Sequence, residues 1–283
     1  MRMFSGTNLT TSLVLFLALS FSSNGNTQES QTSTSASIAA NGEGSLILVA
    51  NGEDFVRQGF LTKDNWQVNF DRVAVNVGNV VAYQAEPGFD PDENESVESQ
   101  EMVTMVEEVK TVDLAEGPEN AEPVVLTEVD VNAGSYNALS WEMIQADDSG
   151  FQNQTIVLQG KAVKDNETVD FNLGFALPIK YVCGEFVGEQ RKGIVQPDSK
   201  AEVEMTFHFD HVFGDAETSL EDSLNQGALG FQPLANLSES GVLTADWQTL
   251  QQSLAPEEVE TLTKAIVGLG HVGEGHCKAE YKL

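Results

Sequence analysis

The chain has 283 residues, with 14 basic and 44 acidic side chains, a formal charge of −30 and 41% apolar residues. That apolar share can build a core, which argues against a wholly disordered chain, and the lack of clustered Lys/Arg argues against phosphate-backbone binding and so against a nucleic-acid role. An acidic surface draws cations instead, so metal ions are the first partner class to consider.

In chain order, Arg2 precedes a nine-residue, largely apolar run from Leu13 to Phe21 that ends in small residues. A run of that length is too short for a hydrocarbon core of ~30 Å, so it predicts a secretory signal peptide over 1–23, with a short membrane anchor as the alternative. No later stretch approaches membrane-spanning length, so no integral membrane segment is expected after signal removal. Residues 24–41 are rich in Ser, Thr, Asn, Gln and Ala and read as a flexible polar linker. Export would place the protein in the periplasm, the cell envelope or outside the cell, and would put Cys183 and Cys277 in an oxidising compartment where pairing is the default.

From 42 to 215 the hydrophobic pattern has period two. It is clearest at Val169, Phe171, Leu173 and Phe175, and at Val203, Met205, Phe207 and Phe209. Further strands are expected at 45–50, 124–131, 138–144 and 155–163. In WQVNFDRVAVNV the apolar face changes phase between Phe70 and Val73, which suggests a β-bulge or a crossing between sheets. Polar turns such as KDNET at 164–168 separate the strands. The class expected is mainly β, an antiparallel β-sandwich over 42–215 with a small helical C-terminal extension.

Within this region Asp90, Asp92, Asn94, Ser96, Glu98 and Glu101 fall on positions 1, 3, 5, 7, 9 and 12 of an EF-hand-like loop, a candidate calcium site. Position 6 is Glu95 rather than glycine, and Pro87-Gly88 leaves no helix leading in. Fourteen acidic residues and only Lys110 among basic ones lie between Asp90 and Asp130, so a solvated acidic loop is the competing reading.

Residues 216–283 read as a helical extension with a His/Gly-rich tail. Pro256 with Glu257 and Glu258 marks a helix start, Val259, Leu262 and Ile266 share one face, and Gly268-Leu269-Gly270 stops it. All four histidines lie near this end: His208 and His211 in TFHFDHVFGD, His271 and His276 in GLGHVGEGHC. If the strand runs through Phe209, His208 and Asp210 share its outward face, and a following loop can turn His211 back toward them. The glycines around the second pair suit a tightly wrapped loop. Neutral imidazoles with a carboxylate are ordinary ligands of zinc and copper. The candidate metal set is therefore His208, His211, His271 and His276, with Asp210, Asp215 or Glu274 as further groups. Histidines in purely structural hydrogen bonds are the alternative. A Cys183–Cys277 disulfide would clip the tail to the β domain, and thiolate ligation by Cys277 is its rival.

The segments FDRVAVNVGNVVAY at 70–83 and VNAGSYNALSWEM at 131–143, with the histidine-rich end, resemble uncharacterised exported bacterial β-sandwich proteins of the cell-envelope lipoprotein type, over about half the chain. The resemblance implies a fold and an envelope location and assigns no functional residue. This sequence departs from the lipoprotein pattern in lacking a lipobox cysteine. No G-x-G-x-x-G, Walker, G-x-S-x-G or H-E-x-x-H motif is present. The function expected is binding of a divalent transition metal, zinc or copper. The alternatives are a non-catalytic adhesion or interaction module, or calcium binding through 90–101. Metal-activated hydrolysis is a third reading, and the sequence names no protein partner.

Overall fold

The structure is a computed structural model that describes residues 42–148, 151–184, 186, 191–273 and 275–281. The expected signal peptide (1–23), the linker (24–41) and Glu274 lie outside the described residues. Strand β1 (Glu43–Asn51) leads through helix α1 (Glu53–Gln58) and the short β2 (Phe60–Leu61) into β3 (Gln67–Ala85). Then come β4 (Ser99–Val106), β5 (Lys110–Asp113), β6 (Val124–Asn132), β7 (Gly134–Ser135), β8 (Ala138–Met143), β9 (Ala146–Asp148) and β10 (Phe151–Gln154). The hairpin β11 (Ile156–Lys164) and β12 (Glu167–Phe175) precedes β13 (Ile179–Cys183), β14 (Ile194–Val195) and β15 (Lys200–Phe207). Short helices α2 (Asp210–Phe213), α3 (Ser223–Gly227) and α4 (Gln232–Ala235) lead to β16 (Val242–Ala245). After α5 (Trp247–Ser253) and α6 (Pro256–Val267), the chain ends in β17 (Gly270–Val272) and β18 (Gly275–Tyr281).

Among the described residues, hydrogen bonds join fourteen strands in one large curled sheet, whose longest path runs β16-β12-β11-β3-β8-β13-β18-β17-β15-β1-β6. Strand β3 is its spine: β11 and then β8 pair along one edge, and β2, β5 and β4 along the other. The phase change read in the sequence is a bulge. Gln159 faces Arg72 and Gly160 faces Phe70, so Asp71 is the extra residue. The KDNET turn closes β11 on β12 with Lys164 opposite Glu167, and Asp165 takes the positive φ of 52° that such a two-residue turn needs. Rings from distant parts of the chain meet in one core: Phe207 of β15 lies 6.2 Å from Trp141 of β8, and Phe70 of β3 lies 6.3 Å from Phe209.

Three expectations are corrected. The pairing is not wholly antiparallel, because β1 runs parallel to β15 and β12 parallel to β16; partners so far apart in sequence leave no local signal. Residues 90–98 are loop, but the acidic stretch continues into strands β4 and β5, which bury Met105, Val106 and Val112 and expose Met102, Thr104, Lys110 and Thr111. Residues 216–283 carry the helices α3–α6 but also three strands that belong to the sheet. β16 extends one end of the sheet, and β17 and β18 are inserted between β15 and β13. Helix α6 does start at Pro256 as expected, and Gly268 caps its end after Val267. Glu258 caps the Ala255 N–H at 2.9 Å, and Leu262, Ala265 and Ile266 are buried. No helix among the described residues is long and apolar enough to cross a membrane.

Candidate metal centre

The histidines collect where β15, β17 and β18 run side by side. Thr206 pairs with His271 and Phe207 with Gly270, and the His208 N–H continues the ladder to the Leu269 carbonyl at 3.1 Å. The strand then stops, two residues before the sequence pattern suggests. Phe209 satisfies the strand alternation, but with Val212 and Phe213 it also forms an i, i+3, i+4 apolar stripe, and the helical spacing wins. Gly214, at φ 69°, ends this single turn. Asp210 therefore sits on α2 rather than on the strand, and this helical turn, in place of a loop, carries His211 back beside His208, with ring centroids 5.4 Å apart.

The glycine-rich tail is also corrected: it is a hairpin rather than a loop. His271 and His276 form a cross-strand pair, with Gly273 at φ 54° in the turn. Gly270 is required for close approach, because a Cβ there would lie 2.7 Å from the Tyr181 ring. Cys183 and Cys277 are directly paired on β13 and β18 and joined in a disulfide, with Cα atoms 4.2 Å apart. The bridged Cys277 sulfur is thus no thiolate ligand.

His271 is the hub of the cluster, with ring centroids 4.3 Å from His208, 5.2 Å from His211 and 5.1 Å from His276. His208, Asp210 and His211 each offer a ligand atom within 4.8 Å of the others, so they form a group that can hold a metal ion. Backbone carbonyls only accept, and this fixes the tautomers. The Gly268 carbonyl takes hydrogen bonds from His211 Nδ1 at 3.1 Å and from His271 Nε2 at 3.2 Å, which leaves His211 Nε2 and His271 Nδ1 as lone-pair donors in the neutral rings. His271 Nδ1 and Asp210 Oδ1 are buried and have no hydrogen-bond partner. His208 has both nitrogens against acceptors, Nδ1 at 3.2 Å from Glu53 Oε2 and Nε2 at 3.4 Å from the Gly273 carbonyl, so a metal on Nε2 must displace a proton there.

The electrostatics divide the cluster. Burial, reinforced by the neighbouring imidazoles, pushes His271 down to about 3, and burial also lowers His211. Burial disfavours charge on His208 too, but the hydrogen bond and charge of Glu53, with Asp210 and the Gly273 carbonyl behind them, raise it. Burial raises the Asp210 carboxyl against the pull of His211 and His208. Two rings are thereby held neutral, the form a metal requires.

Glu53 escaped the sequence reading. It stands just after β1 at a left-handed φ of 58°, a conformation that costs a non-glycine residue about 1 kcal/mol or more. Its N–H bonds Asn51 Oδ1 at 2.9 Å, and Asn51 Nδ2 bonds the buried Glu204 at 3.0 Å. Glu204 also accepts from Thr206, whose hydroxyl oxygen receives the Gly273 N–H. This network aims a carboxylate at a histidine from behind, the usual second support of a metal-binding imidazole. The only local signal was an acid directly after an apolar strand.

Asp215 lies outside the ligand group; its carboxylate accepts from the Glu217 N–H and the Thr218 hydroxyl. The 90–101 segment has no EF-hand frame, because it joins strands β3 and β4 rather than two helices. Its side chains serve the hairpin: Asp90 accepts from Asp92 N–H, Asn94 from Asp90 N–H, and Glu101, on β4, from Asn132. Protein-family models, curated proteins and solved structures were all compared with this chain, and none of them matches.

Proposed function

We propose that this chain is an exported, envelope-associated protein that binds one divalent transition-metal ion, zinc or copper, through His208, His211, His271 and Asp210. His276 stands at the exposed rim as a further donor. The observation that carries this reading is the His208, Asp210 and His211 group, whose ligand atoms all lie within 4.8 Å of one another, with Asp210 Oδ1 buried and unpartnered and the buried, unpartnered His271 Nδ1 in the adjoining ring. Buried polar atoms without partners are rare in folded proteins, and a cation held by the His208, Asp210 and His211 group would give Asp210 Oδ1 its partner. The apolar run at 13–21, the polar linker and the disulfide support the exported setting. The contact of Phe207 on β15 with Trp141 on β8, strands far apart in the sheet order, supports the sandwich architecture that goes with it.

The test is competition titration of zinc and copper into wild type, His208→Ala, His271→Ala and His276→Ala. Stoichiometric uptake is expected, with the largest loss in the first two variants and proton release on metal addition. Affinity unchanged in all three ends the reading and leaves a metal-free interaction module.

A further inference from the structure

Two clefts open on the outer side of the histidines, one of about 230 Å³ and one of about 320 Å³. His276, Gly268 and Lys264 line both, with His271 and Cys277 on the first and His211 on the second. In a chain with 44 acidic and 14 basic residues, no Asp or Glu among the described residues lines either cleft, and Lys264 is the charged group in each. The carboxylates of the cluster lie elsewhere: Asp210 among the histidines and Glu53 behind His208. A dication held by neutral imidazoles and one carboxylate keeps a net positive charge, and beyond it the linings offer the Lys264 ammonium with the uncharged polar groups of His276, Ser223 and Tyr281. Cation capture alone does not call for a lysine there, whose charge is met from outside the clefts by Glu260.

We infer that the metal-loaded centre takes a small carboxylate-bearing ligand from the His276 side, with one oxygen on the metal and the other on Lys264 Nζ. This rests on the metal reading above. Lys264 stands on α6 one turn after Glu260, and their ion pair at 2.6 Å is solvent-exposed, so a metal-bound carboxylate displaces Glu260 readily. The cleft volumes suit a ligand of a few heavy atoms.

Cobalt(II) supplies the probe, because its visible absorption reports the number and kind of its ligands. The cobalt-loaded full chain is titrated with acetate at constant ionic strength, and with acetamide, which has the same shape and no charge. A saturable spectral change with acetate and none with acetamide is expected. Lys264→Gln should weaken acetate binding about tenfold, the equivalent of one charge-assisted hydrogen bond, while leaving cobalt affinity unchanged. A cobalt spectrum that acetate does not move, that acetamide moves equally, or whose response survives Lys264→Gln overturns this inference alone. A chain that takes up no cobalt overturns both readings.

Discussion

Reducing the Cys183–Cys277 bridge perturbs the fold and the metal centre together, and the size of the first effect follows from the topology. The bridge closes a loop with a sequence separation of 94, for which chain-entropy reasoning gives ~4.7 kcal/mol at 25 °C. In a domain of this size that corresponds to a fall in Tm of roughly 9–19 °C. The metal effect follows from what else holds β18. It pairs with β13 along Ile179–Cys183, but with β17 only at His271–His276 and Val272–Gly275. Without the bridge this strand opens more easily, and His276 goes with it. Guanidinium unfolding and zinc competition, each run on oxidised, reduced, Cys183→Ser and Cys277→Ser protein, read both effects. Both serine variants should lose stability alike and bind zinc more weakly by the same factor. A loss of stability below ~1 kcal/mol would refute the clip. A zinc defect confined to Cys277→Ser would refute its purely structural role.

Three further outcomes are expected. His271 is neutral in the native state down to about pH 3, whereas an unfolded imidazole takes its proton near ~6.5, so its contribution is fully present above ~6.5 and is lost as the pH falls from there toward 3, at up to ~1.4 kcal/mol per pH unit. Guanidinium midpoints between pH 7 and 4 should therefore drop more steeply for wild type than for His271→Gln; parallel slopes would contradict this. Glu53→Gln removes the carboxylate behind His208 and should weaken zinc binding ~10–100-fold with little change in fold, checked by the same competition titration and by circular dichroism. Gly270→Ala drives a methyl into Tyr181 and should cost ~1–3 kcal/mol in denaturant unfolding; an unchanged midpoint would mean that β17 is free to shift.

Whatever depends on local period and on pair chemistry was legible along the chain. Alternation marked β1, β6, β8, β11 and β12, and the slip of phase between Phe70 and Val73 marked the bulge at Asp71. Pro256 and Gly268 bounded α6, and two cysteines left one intramolecular pairing. The histidines were legible as a set because rare residues gathered near one end of the chain. Tertiary structure decided the rest. Phe209 fits both strand and helix spacing, so only the packing of Val212 and Phe213 against the core selects the turn that brings Asp210 and His211 beside His208. Gly270 reads as loop flexibility until the Tyr181 ring is placed against it. Glu53 lies 155 residues from His208, and a contact of that kind, like the parallel pairing of β1 with β15, is made by the closing of the sheet rather than by any spacing along the chain.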